Sequence, residues 1–417
     1  MKKLTGLALA MLITPVAFAI EDELLVEHID ELVIDEHLSL RNVIDTTFER
    51  YPQNALVSAF EEESRALEQR SSSWIAGYPM LYLQYIDDAL LGANRGITNV
   101  QSGYQIPVWM WGQKEASQKI TEQSKQAVER YTTALKHEVA GLVRDALWNL
   151  RLVENRRELA RQIYEVAVKL TAVVQRRVEL GDLARADLLL AESDRLEKKT
   201  ALVQAEAEVM HSRKAYQNLT RMTRAPKRLE EPLSQLTQFD DRHPSLAAAT
   251  ASVERAQAEV EFTRLSKQGN QPTILVGTDS SEIDQQGNFG TGTNIVLQVP
   301  IGGDDWHAPQ VAQANLVLNE KIVQRESLRR QLEKALHEAR HTLQVDQAAL
   351  EIAERRKEIA ETQIHMSRIA FEAGEIALID YLKIQTGAQT AIREAAERAI
   401  LVQKDTASYN QVVGITP

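Results

Sequence analysis

What most constrains this 417-residue chain is where its eleven prolines are missing. None falls between Pro107 and Pro226, and none between Pro309 and Pro417. Proline inside a helix removes a hydrogen bond and collides with the preceding turn, so each gap permits helices of unusual length. In the first gap Val128, Tyr131, Leu135, Val139, Leu142, Ala146, Leu150 and Val153 recur every three or four residues, which is one apolar stripe along a helix. A helix over residues 113–180 would be roughly 100 Å long at about 1.5 Å per residue. That is too long for the core of one compact domain, so it must pack lengthwise against other helices. A composition of 5% aromatic and 26% charged residues also favours long packed helices over globular cores. The net charge of -11 supplies no basic field for phosphates and argues against a nucleic-acid partner.

At the start, Lys2 and Lys3, an apolar run over residues 4–13, Pro15 and Ala17-Phe18-Ala19 read as an export signal over residues 1–19. The chain has no cysteine, so an exported protein of this sequence has no disulfide and no acylated cysteine. Residues 20–38 form an acidic N-terminal arm with interspersed Leu24, Leu25, Ile29, Leu32, Val33 and Ile34, either an ordered arm or a frayed terminus. Ser39 is a plausible cap for a helix running to about Glu49, and a second helix is expected over residues 53–71.

From Trp74 the pattern changes to strands. Residues 78–87 and 99–108 have strand-like composition, with Val100, Tyr104, Ile106 and Val108 on one face and Gln101, Gly103 and Gln105 on the other. Residues 87–99 between them read as a loop. A second hairpin follows, with strands over residues 272–279 and 293–301 and a Gly- and Ser-rich loop over residues 279–292. There Ile295, Leu297, Val299 and Ile301 oppose Asn294, Val296 and Gln298.

The hairpins lie inside a larger repeat. Pro52 and Pro244 are 192 residues apart, while Pro107 and Pro300, Gly181 and Gly374, and Asp187 and Asp380 are each 193 apart. The fold class expected is mainly α with a small β part, built of two repeats of helix, β-hairpin and long antiparallel helix pair. The first repeat spans residues 39–221, with long helices over 112–180 and 183–221. A linker over 222–243 leads to the second, residues 244–417, with long helices over 308–373 and 376–412. Each helix pair turns at its glycine, Gly181 or Gly374.

Four strands per chain are too few to close a membrane barrel, which needs about eight, and lipid does not tolerate an open sheet edge. Several copies can pool their strands. Trp74, Trp109, Trp111 and Trp306 all lie just outside the expected strands, where an aromatic belt at a membrane interface would sit. Gln101, Gly103, Gln105, Asn294 and Gln298 would then line water.

With these features the chain resembles the TolC-like outer membrane efflux proteins over nearly its whole length. The residues that carry the resemblance are the two halves at constant offset, the strand ends Ile106-Pro107-Val108 and Val299-Pro300-Ile301, and the turns over residues 177–183 and 371–377. It implies a homotrimer whose twelve-stranded outer membrane β-barrel continues as a periplasmic α-helical barrel. The implied partners are outer membrane lipid, a periplasmic adaptor and an inner membrane pump of the RND type. Leu180, Gly181, Ala373 and Gly374 match the tips where the adaptor docks. Asp380, with Asp187 in the first half, matches a gate or constriction at the periplasmic end. Lys383 departs from the pattern, since some relatives carry a second acid there; it is placed to pair with Asp380. An ordinary first-turn acid is an equal reading of either Asp. The form of residues 176–188 is similar to the cobalt-zinc-cadmium resistance branch, which implies heavy-metal cations as cargo; drugs or a secreted polypeptide are the alternatives. A coiled-coil scaffold without a pore would explain the helices but not the repeated hairpins.

His337-Glu338-Ala339-Arg340-His341 satisfies the zinc motif H-E-x-x-H. The next histidine, His365, is roughly 36 Å further along an unbroken helix, so no third ligand is expected. Asp304, Asp305 and His307 read as a polar turn opening a helix. No motif for nucleotide or ester hydrolysis is present, so the chain reads as a passive conduit that requires no cofactor and catalyses no reaction.

Overall fold

A computed structural model describes residues 31–88, 92, 96, 98–266, 271–282 and 288–417. The signal segment, the first part of the acidic arm and most of the loop over residues 87–99 lie outside these. The described part of the arm forms β1 (Val33–Asp35), which leads into α1 (Leu40–Arg50) and α2 (Asn54–Ser72). The Ser39 hydroxyl accepts from the Asn42 amide at 3.2 Å and so starts α1. β2 (Met80–Asp87) and β3 (Thr98–Pro107) precede α3 (Gln113–Glu179) and α4 (Arg185–Thr220). In the linker β4 (Arg224–Pro226) pairs in parallel with β1, so the arm is ordered against the junction of the two halves. The second half runs α5 (Pro244–Ser266), β5 (Thr273–Glu282), β6 (Phe289–Gln298), α6 (Asp304–Glu372) and α7 (Leu378–Val412).

α3 and α6, of 67 and 69 residues, are each about 100 Å long. α3 packs along α4, α6 along α7, and α5 bridges α3 to α6. The apolar stripe is not the buried surface of α3 in full. Leu135, Val139 and Leu150 are buried, but Leu142 is 37% exposed while Val143, Leu147 and Trp148 are in the core. α3 has neighbours on several sides, α1, α2, α4, α5 and α7, so its buried arc is wider than one stripe and centred a little off it.

The second hairpin ends differently from the sequence reading. β5 continues through Asp279 to Glu282, and β6 starts at Phe289 rather than Thr293 and stops at Gln298. Glycine and serine read as a loop in isolation, yet ladder pairing from Asp279↔Gly292 to Glu282↔Phe289 holds them extended. Val299, Pro300 and Ile301 lie beyond the strand, where Pro300 has no amide to give to a ladder. α6 begins at Asp304, so Asp304 and Asp305 open it as first-turn acids. Pro309 sits in its second turn, where it gives no amide to the Asp305 carbonyl.

The largest core cluster is midway along α3, where Val139, Val143, Leu147 and Trp148 meet Val43, Ile44, Tyr216, Leu229 and Ala407. Arg144 is buried beside it at 3% exposure. Its guanidinium donates twice to Glu231 of the linker, at 2.8 and 2.5 Å, and once to the Ile415 carbonyl at 3.0 Å. His137 and His243 are also buried here, edge to face at 5.3 Å. Burial, with His243 and Arg144 nearby, pushes His137 down to about 4, and burial lowers His243 too. One α3 segment thus fastens the linker and the C-terminal residues to the long rods.

Candidate functional site at the bare sheet and the helical tip

β2, β3, β5 and β6 form one antiparallel sheet in that order, leaving β2 and β6 as edges. The register sorts its residues into two faces. Leu81 pairs with Tyr104 and Tyr104 with Val276, which pairs with Ile295. These share a face with Leu83, Tyr85 and Leu297, and exposure runs from 44% at Val276 to 73% at Leu81. On the opposite face Gln84 pairs with Gln101 and Gln101 with Asp279, while Gly103 pairs with Gly277 and Gly277 with Asn294.

Side-chain hydrogen bonds knit that second face. Asn99 Nδ2 and Gln101 Nε2 donate to the two Asp279 oxygens at 2.6 and 2.9 Å, and Gln105 Nε2 donates to Thr273 Oγ1 at 3.1 Å. Gly103 and Gly277 lie so close across the β3–β5 pair that a Cβ on either would stand 2.5 or 2.0 Å from the opposite backbone. An apolar face left bare beside a hydrogen-bonded polar one is the inverse of a soluble sheet, which buries the former and wets the latter. No described helix is long and apolar enough to cross a membrane.

The four tryptophans all lie at the end of the sheet that adjoins the helices. Trp74, Trp111 and Trp306 are 70%, 94% and 88% exposed. Trp109 is half-buried, its indole donating to the Ser73 carbonyl at 3.0 Å. They mark one edge of the apolar band rather than both.

At the far end of the rods the two turns have the same build. Gly181 and Gly374 have φ of 82° and 78°, a conformation that costs little only in glycine. Gly181 donates to Val178 O and Asp182 to Arg177 O, at 3.1 and 2.8 Å; Gly374 and Glu375 repeat this onto Phe371 O and Ala370 O. Both are Schellman stops. Leu180, Gly181, Ala373 and Gly374 are exposed. Behind them Val174 and Ala191 of the first pair pack with Phe371, Leu378, Tyr381 and Leu382 of the second. Arg177, marked in the sequence only as the first residue of its turn, donates to the Phe371 carbonyl at 3.2 Å and lies 5.4 Å from its ring centre. It ties the two hairpins together where α6 ends.

The paired acids differ in their surroundings. Asp187 accepts from the Ala184 amide at 3.2 Å, which makes it a cap for its own helix. Asp380 and Lys383 are both exposed, and among the described residues no ion pair joins them. His337 and His341 are exposed with parallel rings 6.4 Å apart, Glu338 pairs with Lys334 at 3.6 Å, and no group of three metal-ligating side chains occurs among the described residues. His307 is buried against α5, contacting the Thr263 carbonyl.

No family model and no curated protein matches this chain. Solved structures do match. The outer membrane protein VceC of Vibrio cholerae superposes with a TM-score of 0.70 at 13% identity, over 90% of this chain and 96% of that one. The CmeC outer membrane channel of Campylobacter jejuni gives 0.69 at 14%, over 90% and 85%. The open state of the MtrE outer membrane channel of Neisseria gonorrhoeae gives 0.68 at 15%, over 90% and 88%. From bare sheet to paired helical tips, the chain has the fold of the TolC-like outer membrane channels.

Proposed function

We propose that this chain is one subunit of a trimeric outer membrane conduit, the exit duct of a tripartite efflux system, and that it catalyses no reaction. The observation that carries this reading is the sheet: four strands, two unpaired edges, an exposed apolar face and a polar face already hydrogen-bonded. Edges are satisfied in lipid when neighbouring copies close the ring. The rods then extend the ring into the periplasm as a helical tunnel, and the fold shared with the outer membrane channels supports that arrangement.

Within this reading Leu180, Gly181, Ala373 and Gly374 are the surface on which an adaptor docks, delivering cargo from an RND-type inner membrane pump. Asp380 is the better gate group of the two acids, because Asp187 is occupied in capping α4. Exposed Lys383, one turn beyond Asp380, tempers its field. Heavy-metal cations are the cargo proposed, on the form of residues 176–188.

Membrane fractionation followed by planar-bilayer recording tests the conduit, with trimers in the outer membrane fraction and discrete conductance steps expected. A protein recovered in the soluble periplasmic fraction would sink the reading. Deleting the coding sequence tests cargo: sensitivity should rise to Zn, Co or Cd, and a rise confined to drugs would replace metals with drugs as the cargo.

A further inference from the structure

Across the polar face of the sheet, Asp279 is the one charged side chain among the described residues. Its β5 position pairs with Gln101 on one side and Gly292 on the other. Two neutral amides, Asn99 and Gln101, hold its carboxylate oxygens. Among the described residues no cationic side chain pairs with it. Its charge is therefore oriented but not cancelled. Beside it Gly292 presents no side chain, and a Cβ there would meet nothing within 4 Å, so the carboxylate is approachable from that side. Asp87 and Glu282, the other acids on these strands, fall on the apolar face by register.

We propose that Asp279 is a selectivity-determining group in the wall of the pore, three copies making a negative ring inside the barrel that favours cations over anions. The proposal rests on reading the sheet as one third of a barrel. A ring of carboxylates on low-dielectric walls concentrates cations at that level, and substitutions on the lumen side of a barrel tune selectivity without loss of the fold. The ring lies in the membrane-spanning wall, the length of the rods away from the tip where Asp380 sits, so the two act independently.

The absence of cysteine allows a direct test on the full-length protein in outer membrane vesicles. Asn294→Cys places one thiol on the same face, diagonal to Asp279 at roughly 7–8 Å. Its modification rates by a cationic and an anionic methanethiosulfonate are compared with and without Asp279→Asn. The ratio of cationic to anionic rate should fall about threefold or more on Asp279→Asn, and the difference should shrink in high salt. Asp279→Glu should keep the ratio, and Asp279→Ser supplies a second neutral variant should Asp279→Asn not assemble. An unchanged ratio in both neutral variants overturns the proposal and leaves the barrel intact. Ile295→Cys, on the other face, separates the two readings: it stays protected in a barrel, and reaction as fast as Asn294→Cys would bring down the barrel and this ring with it.

Discussion

At the scale of single residues, the buried charges midway along α3 are where single substitutions should cost most. Arg144 satisfies both oxygens of Glu231 and a carbonyl near the C-terminus. Arg144→Leu leaves the Glu231 carboxylate enclosed and unpaired, a loss of about 3–5 kcal/mol, read as a lowered denaturation midpoint. Arg144→Lys should recover little, because an ammonium cannot reproduce the two-pronged contact. The neighbouring histidines give a pH dependence whose sign follows from their lowered values. As pH falls through 6.5 the unfolded chain takes up protons that His137 refuses until about 4, so stability is full above 6.5 and declines from there toward 4. Thermal melts at stepped pH should show this decline, and His137→Gln should flatten it. Asp405 works the other way. One of its oxygens is buried without a donor, and burial together with adjacent Asp346 pushes it up to about 7. It keeps a proton that the unfolded chain has already lost, so stability falls as pH rises from about 4 to 7. Asp405→Asn should raise the melting temperature at pH 8 and change it little at pH 4; an equal shift at both would refute the assignment.

At the scale of elements, glycine marks two different needs. At Gly181 and Gly374 the requirement is backbone sign alone, since a Cβ would touch nothing. Gly374→Ala should therefore cost about 1–2 kcal/mol of left-handed strain and leave the hairpin formed. At Gly103 and Gly277 the requirement is space between strands. Gly103→Val should part β3 from β5, the junction of the two hairpins, and abolish the proposed insertion of the sheet into membranes, as carbonate extraction would report. The first need was legible in the sequence, because a lone glycine closing a long helical run, repeated at the same offset, has few other meanings. The second was not, since nothing in either hairpin alone says that the two glycines meet. The same locality hid the setting of Asp279, which the sequence leaves at the seam between strand and loop and pairing with β6 places within a strand.

At the scale of the whole molecule, a single copy leaves the sheet unfinished, with its apolar face bare and both edges open. A charge on that face should be far costlier than one on the other. In the proposed trimeric barrel, Leu83→Arg should lose about 2–4 kcal/mol of insertion energy near the bilayer centre, while Gln84→Arg, one residue along, should assemble normally; trimer bands on unheated gels would distinguish them. By itself the sequence determined the duplicated plan, the long helices, the two turns and the alternation that makes each hairpin two-faced. These are periodic or local properties, set by backbone sterics and by which residues water tolerates. Tertiary structure alone decided that Arg177 ties one hairpin tip to the other, that Arg144 gathers linker and C-terminal segment, and that Asp279 is held by two neutral amides on the polar face. Each depends on partners far apart in the chain, and distance along a sequence carries no record of which groups folding will bring within a few ångströms.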